Sequence, residues 1–222
     1  PFYIYFFRNL FMRSDDYYLT NHNHFSYPRL HLYPMLGVHQ LFADIPIKNS
    51  QQFDLIDEVF YKTKFKNYNY GQYSPKKAIG VNNAREAVVI MGDPSFDPIR
   101  EYIILKEDLL NSELSSVSSG QINYERNAIK FEGETEGKTL HVLPIIFSNC
   151  LNSSAGNSLI RVNLLLTGIL FMGHTSDRIS YSGPPFNNNC LKEDILDIKR
   201  FSLRDREYAY PLEANRSAIK KF

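Results

Sequence analysis

The longest apolar run of the chain, SLIRVNLLLTGILFMG from Ser158 to Gly173, constrains the fold more than any other feature. Aliphatic side chains alternate with Arg161 and Asn163 at its start, which is the two-residue period of a strand with one buried face. Because the run stays apolar past Gly168, we expect one long, curved central strand with a bend or bulge at that glycine.

A transmembrane helix is the alternative interpretation of this run. Arg161 and Asn163 leave about ten uninterrupted apolar or small residues, whereas a spanning helix needs about 20. We therefore expect no membrane span, and we place Leu164 and Leu166 in the protein core. Nothing in the run is chemically reactive, so it indicates architecture more readily than function.

Composition favours strands throughout the chain. With 222 residues the chain fits one large domain or two small ones, and we expect a single domain over 1–222. Its 16 Phe and 15 Tyr, with no Trp, favour strands over helices. The predicted fold class is all-β, or β-dominated: an antiparallel β-sandwich, with a jelly roll as one candidate form, long loops and one or two short helices.

Local patterns place several strands around the central one. The run TLHVLPIIF at 139–147 should pair antiparallel with it, since a loop rich in Asn and Ser joins the two. We expect a further strand over 122–131 and a polar turn at 132–138, EGETEGK. Another short strand is expected at Glu86–Met91.

Two segments have helical features. The block REYIILKE at 100–107 fits either a helix capped by Asp97 or a strand. Apolar residues spaced along Leu191–Ile198 predict a short helix near the end of the chain.

The N-terminal segment Pro1–Met12, PFYIYFFRNLFM, is apolar and aromatic but too short and mixed for a membrane span. Its residue types favour a strand, either buried at the end of the domain or extended as an arm that docks on a partner. The side chains predicted to form this interface are Phe2, Tyr3, Tyr5, Phe6 and Phe7.

Positive charge is concentrated at two places, although Lys and Arg (25) nearly balance Asp and Glu (24). That balance disfavours a wholly basic nucleic-acid-binding protein. The strand predicted at 59–67 has lysines on one face, and the tail 200–222 has six Lys or Arg against three acids. Tyrosines beside the lysine face suit a protein interface, which we favour over single-stranded nucleic acid. The candidate nucleic-acid contacts are Lys62, Lys64, Lys66, Arg200, Lys220 and Lys221.

No local signature of catalysis is present. The chain lacks the G-x-S-x-G turn of serine hydrolases and both glycine-rich phosphate loops, so we predict no catalytic residue and no cofactor. Cys150 with His141 is a conceivable thiol and base, without a supporting motif. We expect Cys150 and Cys190 to be buried free thiols, because two cysteines at this spacing form no known scaffold or zinc motif.

His22 and His24 form an H-x-H pair, which on a strand would direct both imidazoles to one side. No glutamate follows to complete a metal site, so polar loop histidines are the favoured interpretation.

Asp93, Asp97 and Glu101 invite comparison with metal-dependent nucleases. Such sites need an acid-x-lysine pattern on the next strand, and the residue two before Lys106 is an isoleucine. Capping and solvated roles are therefore favoured for these acids, and no metal site is predicted.

Two tripeptides, Asn152-Ser153-Ser154 and Asn215-Arg216-Ser217, match the acceptor pattern for N-glycosylation. The pattern is common by chance. The first residues of the chain also lack the basic start and cleavage site of a signal peptide, which argues against its use.

These observations favour a structural protein over an enzyme. We expect an assembly subunit, such as the coat (capsid) protein of a viral particle, that self-associates through its termini and loops and engages nucleic acid through its tail. The start at Pro1 would fit proteolytic maturation, and the protein would reside in the virion or otherwise inside a cell. Two alternatives stay open: a metal-dependent, nuclease-like enzyme, and a ligand-binding β-sandwich module.

Overall fold

Strands dominate the part of the chain that the structure describes, which confirms the predicted β-dominated fold class. The structure is a computed structural model and describes residues 2–11, 29–38, 40–42, 53–57, 60–63, 72–109, 113–183 and 189–203. The strands in these ranges are β1 (Gln40–Phe42), β2 (Phe53–Asp57), β3 (Phe60–Thr63), β4 (Lys77–Val81), β5 (Glu101–Leu105), β6 (Val117–Glu125), β7 (Ala128–Ile146), β8 (Leu151–Ser153), β9 (Ser158–Val162) and β10 (Leu166–Tyr181). The α-helices are α1 (Phe2–Leu10), α2 (Ala84–Gly92) and α3 (Asn189–Arg200), and none of them is long and apolar enough to cross a membrane.

The described strands form three sheets. The largest has the order β6-β7-β10-β8, and β9 also pairs with β10, along its first half. β7 and β10 are antiparallel from Leu166↔Ile146 to Ser180↔Ala128, which confirms the predicted pairing of 139–147 with the central apolar run. The other sheets are the antiparallel β1-β3-β2 and the parallel pair β4-β5. A sandwich is consistent with these sheets, and its two-layer form and the jelly roll stay predictions.

The apolar run 158–173 is a hairpin of β9 and β10 rather than the predicted single strand. The chain reverses at Asn163 and Leu164, whose φ angles of 50° and 63° are left-handed. Asn163 is fully buried; its backbone N–H donates to the Ile103 carbonyl at 3.0 Å, and its side-chain oxygen accepts from the Ile103 N–H at 2.8 Å. The turn is thereby fixed to β5, and asparagine tolerates this conformation better than most residues.

The predicted bend at Gly168 is wrong, because that residue continues the ladder without a register shift. Gly168 serves close packing instead, since a Cβ there would lie 2.6 Å from Leu140 Cδ1. The chain takes a left-handed conformation further on, at Gly173, next to a bulge. The burial predicted for Leu164 and Leu166 is confirmed, with 1% and 4% of each residue exposed.

Two clusters of buried apolar side chains lie on either side of the β7–β10 pair. The main core gathers α1, α2, β5 and the β9–β10 turn, and it includes Leu140 and Val142 of β7. The smaller core consists of Phe131, Leu143, Ile169, Phe171 and Ile179. Because 140 and 142 project to one face of β7 and 143 to the other, this half of the pair is covered on both faces.

The N-terminal segment forms helix α1 rather than the predicted strand or extended arm. Phe2, Tyr5, Phe6 and Leu10 are buried in the main core at helical spacing, three to four residues apart. Packing of this apolar face outweighs the β propensity of the aromatic residues, because tertiary contacts supply most of a short helix's stability.

Two more local predictions are corrected or decided by the structure. Glu86–Met91, expected as a strand, belongs to α2. The Asn83 side chain caps this helix by accepting from the Glu86 N–H at 2.9 Å, and the Glu86 carboxylate accepts from the Asn82 N–H at 2.7 Å. Of the two alternatives for 100–107, the strand is correct, since β5 lies there and pairs with β4.

The outer part of the largest sheet also differs from expectation. The predicted strand over 122–131 is two strands, because β6 ends at Glu125 and β7 begins at Ala128 after a two-residue turn. The polar turn expected at 132–138 lies inside β7. Its polar residues are accommodated because this part of the sheet has a solvent-facing side.

Helix α3 confirms the short helix predicted over Leu191–Ile198 and is joined covalently to the sheet. Cys190, near its start, forms a disulfide with Cys150 in the β7–β8 connection, and both residues are buried. The prediction of free thiols is therefore wrong, and a Cys150–His141 catalytic pair is excluded. A separation of 40 residues matches no local motif, so only the tertiary fold brings the two sulfurs together.

Candidate functional site

The outer edge of the five-stranded sheet is formed by β6, which among the described strands pairs only with β7. Its sequence, VSSGQINYE, contains no lysine and no proline. After a register shift near Val117, the ladder runs regularly from Ser119 to Glu125. Every second residue of an edge strand directs its N–H and C=O groups away from the sheet, which makes such an edge a template for another strand.

The two faces of β6 differ in polarity. Ile122 is half-buried and packs against the smaller core, whereas Gln121 and Asn123 are exposed on the opposite face. Tyr124 shares the face of Ile122, but 63% of it is exposed. The apolar face of β6 therefore extends beyond the core that it covers.

A buried polar contact behind this edge is centred on His141 of β7. The His141 Nδ1 lies 2.7 Å from Ser74 Oγ, and the Nε2 lies 2.9 Å from Gln72 Oε1. The ring stacks on Phe131, with centroids 5.0 Å apart, and only 4% of the residue is exposed. With its proton on Nε2, the imidazole donates to Gln72 and accepts from the Ser74 hydroxyl, so both ring nitrogens are satisfied.

This contact contains a serine and a histidine but lacks the electrostatics of a catalytic pair. Burial lowers the pKa of His141 to about 4, which makes the ring a weak base at neutral pH. Gln72 is neutral and cannot stabilise the imidazolium that proton transfer from Ser74 would create. We interpret His141 as a satisfied core histidine that holds the 72–74 segment against β7.

A second polar cluster fixes α3 to the sheet. Arg161 of β9 is buried; its Nη2 lies 3.1 Å from Asp197 Oδ2, and its guanidinium lies 3.8 and 4.7 Å from the ring centroids of Phe2 and Phe147. Burial lowers the pKa of the Arg161 guanidinium, and Asp197 and Asp194 oppose this effect. The arginine is thus a structural link between β9, α1 and α3.

The acids considered for a metal site have local structural roles. Asp93 and Asp97 each accept a hydrogen bond from the backbone N–H two residues ahead, at 2.8 and 3.0 Å. Lys77 donates to the Glu101 carboxylate at 2.5 Å, and this contact lowers the pKa of Glu101. In the described ranges, no group of three or more His, Cys, Asp or Glu side chains is arranged to hold a metal ion.

Only part of the predicted basic surface lies in the described residues. The backbone of Lys62 lies in β3. Arg200 donates to Glu107 and Asp108 at 2.6 Å and to Asp197 at 3.2 Å. Burial opposes the charge of Arg200, but the bonds to Glu107 and Asp108 outweigh it and raise the pKa of the guanidinium. These ion pairs compete with a phosphate for the Arg200 guanidinium, and its assignment as a nucleic-acid contact stays a prediction. The predicted site residues outside the described ranges are His22, His24, Lys64, Lys66, Lys220 and Lys221.

The aromatic side chains predicted to form an N-terminal interface are divided between the core and the surface. Phe2, Tyr5 and Phe6 are buried in the main core, which corrects their assignment as partner contacts. Tyr3 is 37% exposed and Phe7 is half-buried. An interface through these last two residues stays a prediction.

Comparison of the chain with protein-family models, with curated proteins and with solved structures gives no match.

Sequence reasoning missed both the β6 edge and the His141 contact. A two-residue turn at 126–127 between alternating segments was the available signal for a hairpin. For the histidine no local signal exists, since Ser74 and Gln72 lie almost 70 residues earlier, at separations of 67 and 69.

Proposed function

We propose that the protein is an assembly subunit whose copies associate through the outer edge of β6. The observation that carries the proposal is the regular edge from Ser119 to Glu125, which has neither lysine nor proline to discourage pairing. A second copy would add its own β6 in antiparallel orientation about a twofold axis, so that outward-directed N–H and C=O groups pair.

The centre of such a contact is defined by the length of the strand. Gln121 is the middle residue of Val117–Glu125, so a pairing that uses the whole strand brings Gln121 opposite its own copy. Each backbone hydrogen bond contributes about 0.5–1.5 kcal/mol net, and the exposed Tyr124 adds apolar contact area. Several such bonds together support association at moderate protein concentration.

In its specific form, the proposal is a coat (capsid) subunit of a particle such as a virion. A closed shell needs at least one contact besides a twofold pair, because a pair alone ends as a dimer. Helix α3 offers a second surface, where Leu191, Ile195 and Leu196 are exposed. This surface supports the particle form, and contact with nucleic acid through the tail stays part of the same proposal.

Charge reversal at the centre of the edge tests the proposal. Gln121→Lys and Gln121→Glu each place like charges opposite one another, so either variant alone should be monomeric. An equimolar mixture of the two should associate again, because lysine then faces glutamate. Sedimentation velocity over a concentration series measures each state, and negative-stain imaging shows whether wild-type assemblies close into particles.

Met172→Lys is the matched control, since it adds the same charge at a side chain that is 74% exposed but lies on β10 and not on β6. It should associate as the wild type does. A wild-type chain that stays monomeric at high concentration would contradict the assembly proposal. Association unchanged by both Gln121 variants would place the contact elsewhere.

The two alternative functions have less support from the described residues. The nuclease-like enzyme lacks a described ligand set, and Asp93, Asp97 and Glu101 already serve caps and an ion pair. The ligand-binding module has no observation that favours it over assembly.

A further inference from the structure

The Cys150–Cys190 disulfide carries information about where the chain folds. Disulfides form and persist in oxidising compartments and are rare where thiols are kept reduced. Both sulfurs are buried between the β7–β8 connection and α3, so the bond is part of the folded structure rather than an exposed redox pair. The bond therefore favours folding in an oxidising compartment, where N-glycosylation of Asn-x-Ser sequences also takes place in eukaryotic cells.

One of the two acceptor tripeptides lies two residues from this disulfide. Asn152 is the middle residue of β8 and is exposed, while its neighbours Leu151 and Ser153 are half-buried. β8 stands at the end of the strand order opposite to β6. The Asn152 side chain also lines an open cleft of about 240 Å³, so space for an attached sugar is present beside it.

We propose that Asn152 is an N-glycosylation acceptor. The oligosaccharide would come from a polyprenyl diphosphate-linked donor. The bond from the anomeric carbon to the diphosphate oxygen breaks, a bond from that carbon to Asn152 Nδ2 forms, and one amide proton passes to the departing polyprenyl diphosphate. The product nitrogen keeps one hydrogen.

The folded structure indicates when this transfer must occur. Asn152 Nδ2 donates to the Cys150 carbonyl at 3.2 Å and to the Ser182 hydroxyl, and the Ser154 hydroxyl accepts from the Arg178 N–H at 2.9 Å. Both reacting groups of the tripeptide are thus engaged once β8 pairs with β10. Transfer therefore precedes closure of this region, and the modified nitrogen retains one of its two hydrogen bonds afterwards.

A glycan at Asn152 would give the two edges of the sheet opposite properties. A bulky, hydrated group on β8 blocks the approach of another strand there. The β6 edge stays open at the other end of the strand order. The inference is independent of the assembly proposal, since it rests on the disulfide and on the exposure of Asn152.

The test uses the full chain expressed through the secretory pathway of eukaryotic cells behind a cleavable leader, followed by intact mass and enzymatic removal of N-glycans. We expect a glycan at Asn152, seen as a mass loss on deglycosylation and as conversion of that residue to aspartate. Asn152→Gln and Ser154→Ala should each abolish it, and Ser154→Thr should preserve it. Asn215→Gln is the control for the second tripeptide and should leave the Asn152 glycan unchanged.

Ser154→Ala and Ser154→Thr keep the test decisive even if Asn152→Gln folds poorly, because the first removes the acceptor hydroxyl and the second keeps it. A secreted wild-type chain with the mass of the unmodified polypeptide would overturn the proposal. So would a glycan at Asn152 that survives Ser154→Ala.

Discussion

The two halves of the β7–β10 pair share the same strands but have different surroundings. In the inner half, residues 139–143 of β7 and 166–169 of β10 are all buried, because the main core covers one face and the smaller core the other. In the outer half, burial alternates along 129–135 and 174–180. The bulge near Gly173 separates the two halves.

The difference shows that coverage by neighbouring elements, rather than strand pairing, decides which residues a strand can carry. The inner half is mostly aliphatic, as expected for strands buried on both faces, and its buried polar residues are Thr139, His141 and Thr167. The outer half places Lys130, Glu132 and Glu134 on its solvent face. The same ladder therefore passes from a core strand to a half-exposed strand within one hairpin.

The largest expected effect is the loss of a core side chain in the inner half. Leu140→Ala should lower the free energy of unfolding by about 2–5 kcal/mol, because it removes buried methyl groups and leaves a cavity. The matched change Ile146→Ala, where the side chain is 54% exposed at the end of β7, should shift it by no more than about 0.5 kcal/mol. Urea denaturation measures both. Equal effects would mean that the inner half is not covered on both faces.

Acid should destabilise the inner half through His141, whose pKa falls from 6.5 in the unfolded chain to about 4 in the fold. Below pH 6.5 His141 takes up a proton in the unfolded chain but not in the folded one, which favours unfolding. The contribution of His141 to the free energy of unfolding is therefore complete above pH 6.5, and it declines toward pH 4 by up to about 1.4 kcal/mol per pH unit. His141→Gln should flatten this decline. Denaturation midpoints from pH 7 to pH 4.5 test it, and parallel curves for the two proteins would contradict the burial of the ring.

Two glycines of β10 sharpen the comparison. Gly168 lies in the buried inner half, and Gly173 lies at the bulge where the outer half begins. Gly168→Ala should cost about 1–3 kcal/mol, since the added Cβ would meet Leu140 Cδ1 at 2.6 Å. Gly173→Ala meets no atom within 4 Å, and its cost of about 1–2 kcal/mol comes only from the left-handed φ of 73°. In the double variant Gly168→Ala/Leu140→Ala, the Gly168 cost should largely disappear. No such rescue is expected for Gly173→Ala.

The smallest effect is expected at the surface of the outer half. Arg178 and Glu125 form an ion pair at 2.9 Å, with 51% and 42% of their side chains exposed. Glu125→Gln should change the free energy of unfolding by about 0–1 kcal/mol, and less in high salt, because water screens the pair. Thermal melts at low and high ionic strength check this. A larger or salt-independent loss would show that the outer half is more enclosed than its burial pattern indicates.

The sequence was sufficient where a pattern is local. The burial of Leu164 and Leu166 and helix α3 follow from apolar spacing, and the pairing of 139–147 with the central run follows from the polar loop that joins them. Local reasoning failed where tertiary contacts decide. The turn at Asn163 depends on hydrogen bonds to Ile103, 60 residues away.

The candidate site was harder to predict than the fold. β6 is an edge strand because no other described strand pairs with its outer side. The sequence of a strand does not show which strands will lie beside it. Cys150 and Cys190, His141 and Ser74 meet only because the sheet brings distant segments together. In contrast, the helical spacing of Phe2, Tyr5 and Phe6 is visible in the sequence, but the β propensity of these aromatic residues favours a strand.

Helix α3 is attached to the sheet by two covalent routes, the peptide chain and the Cys150–Cys190 bond, which together close a ring. A protease that cuts one peptide bond between Gly183 and Asn189 would open this ring without separating the molecule into fragments. The nicked protein would migrate as one species without a reductant and as two with it. A break in the backbone at this place would therefore leave α3, and the apolar residues it exposes, on the same molecule.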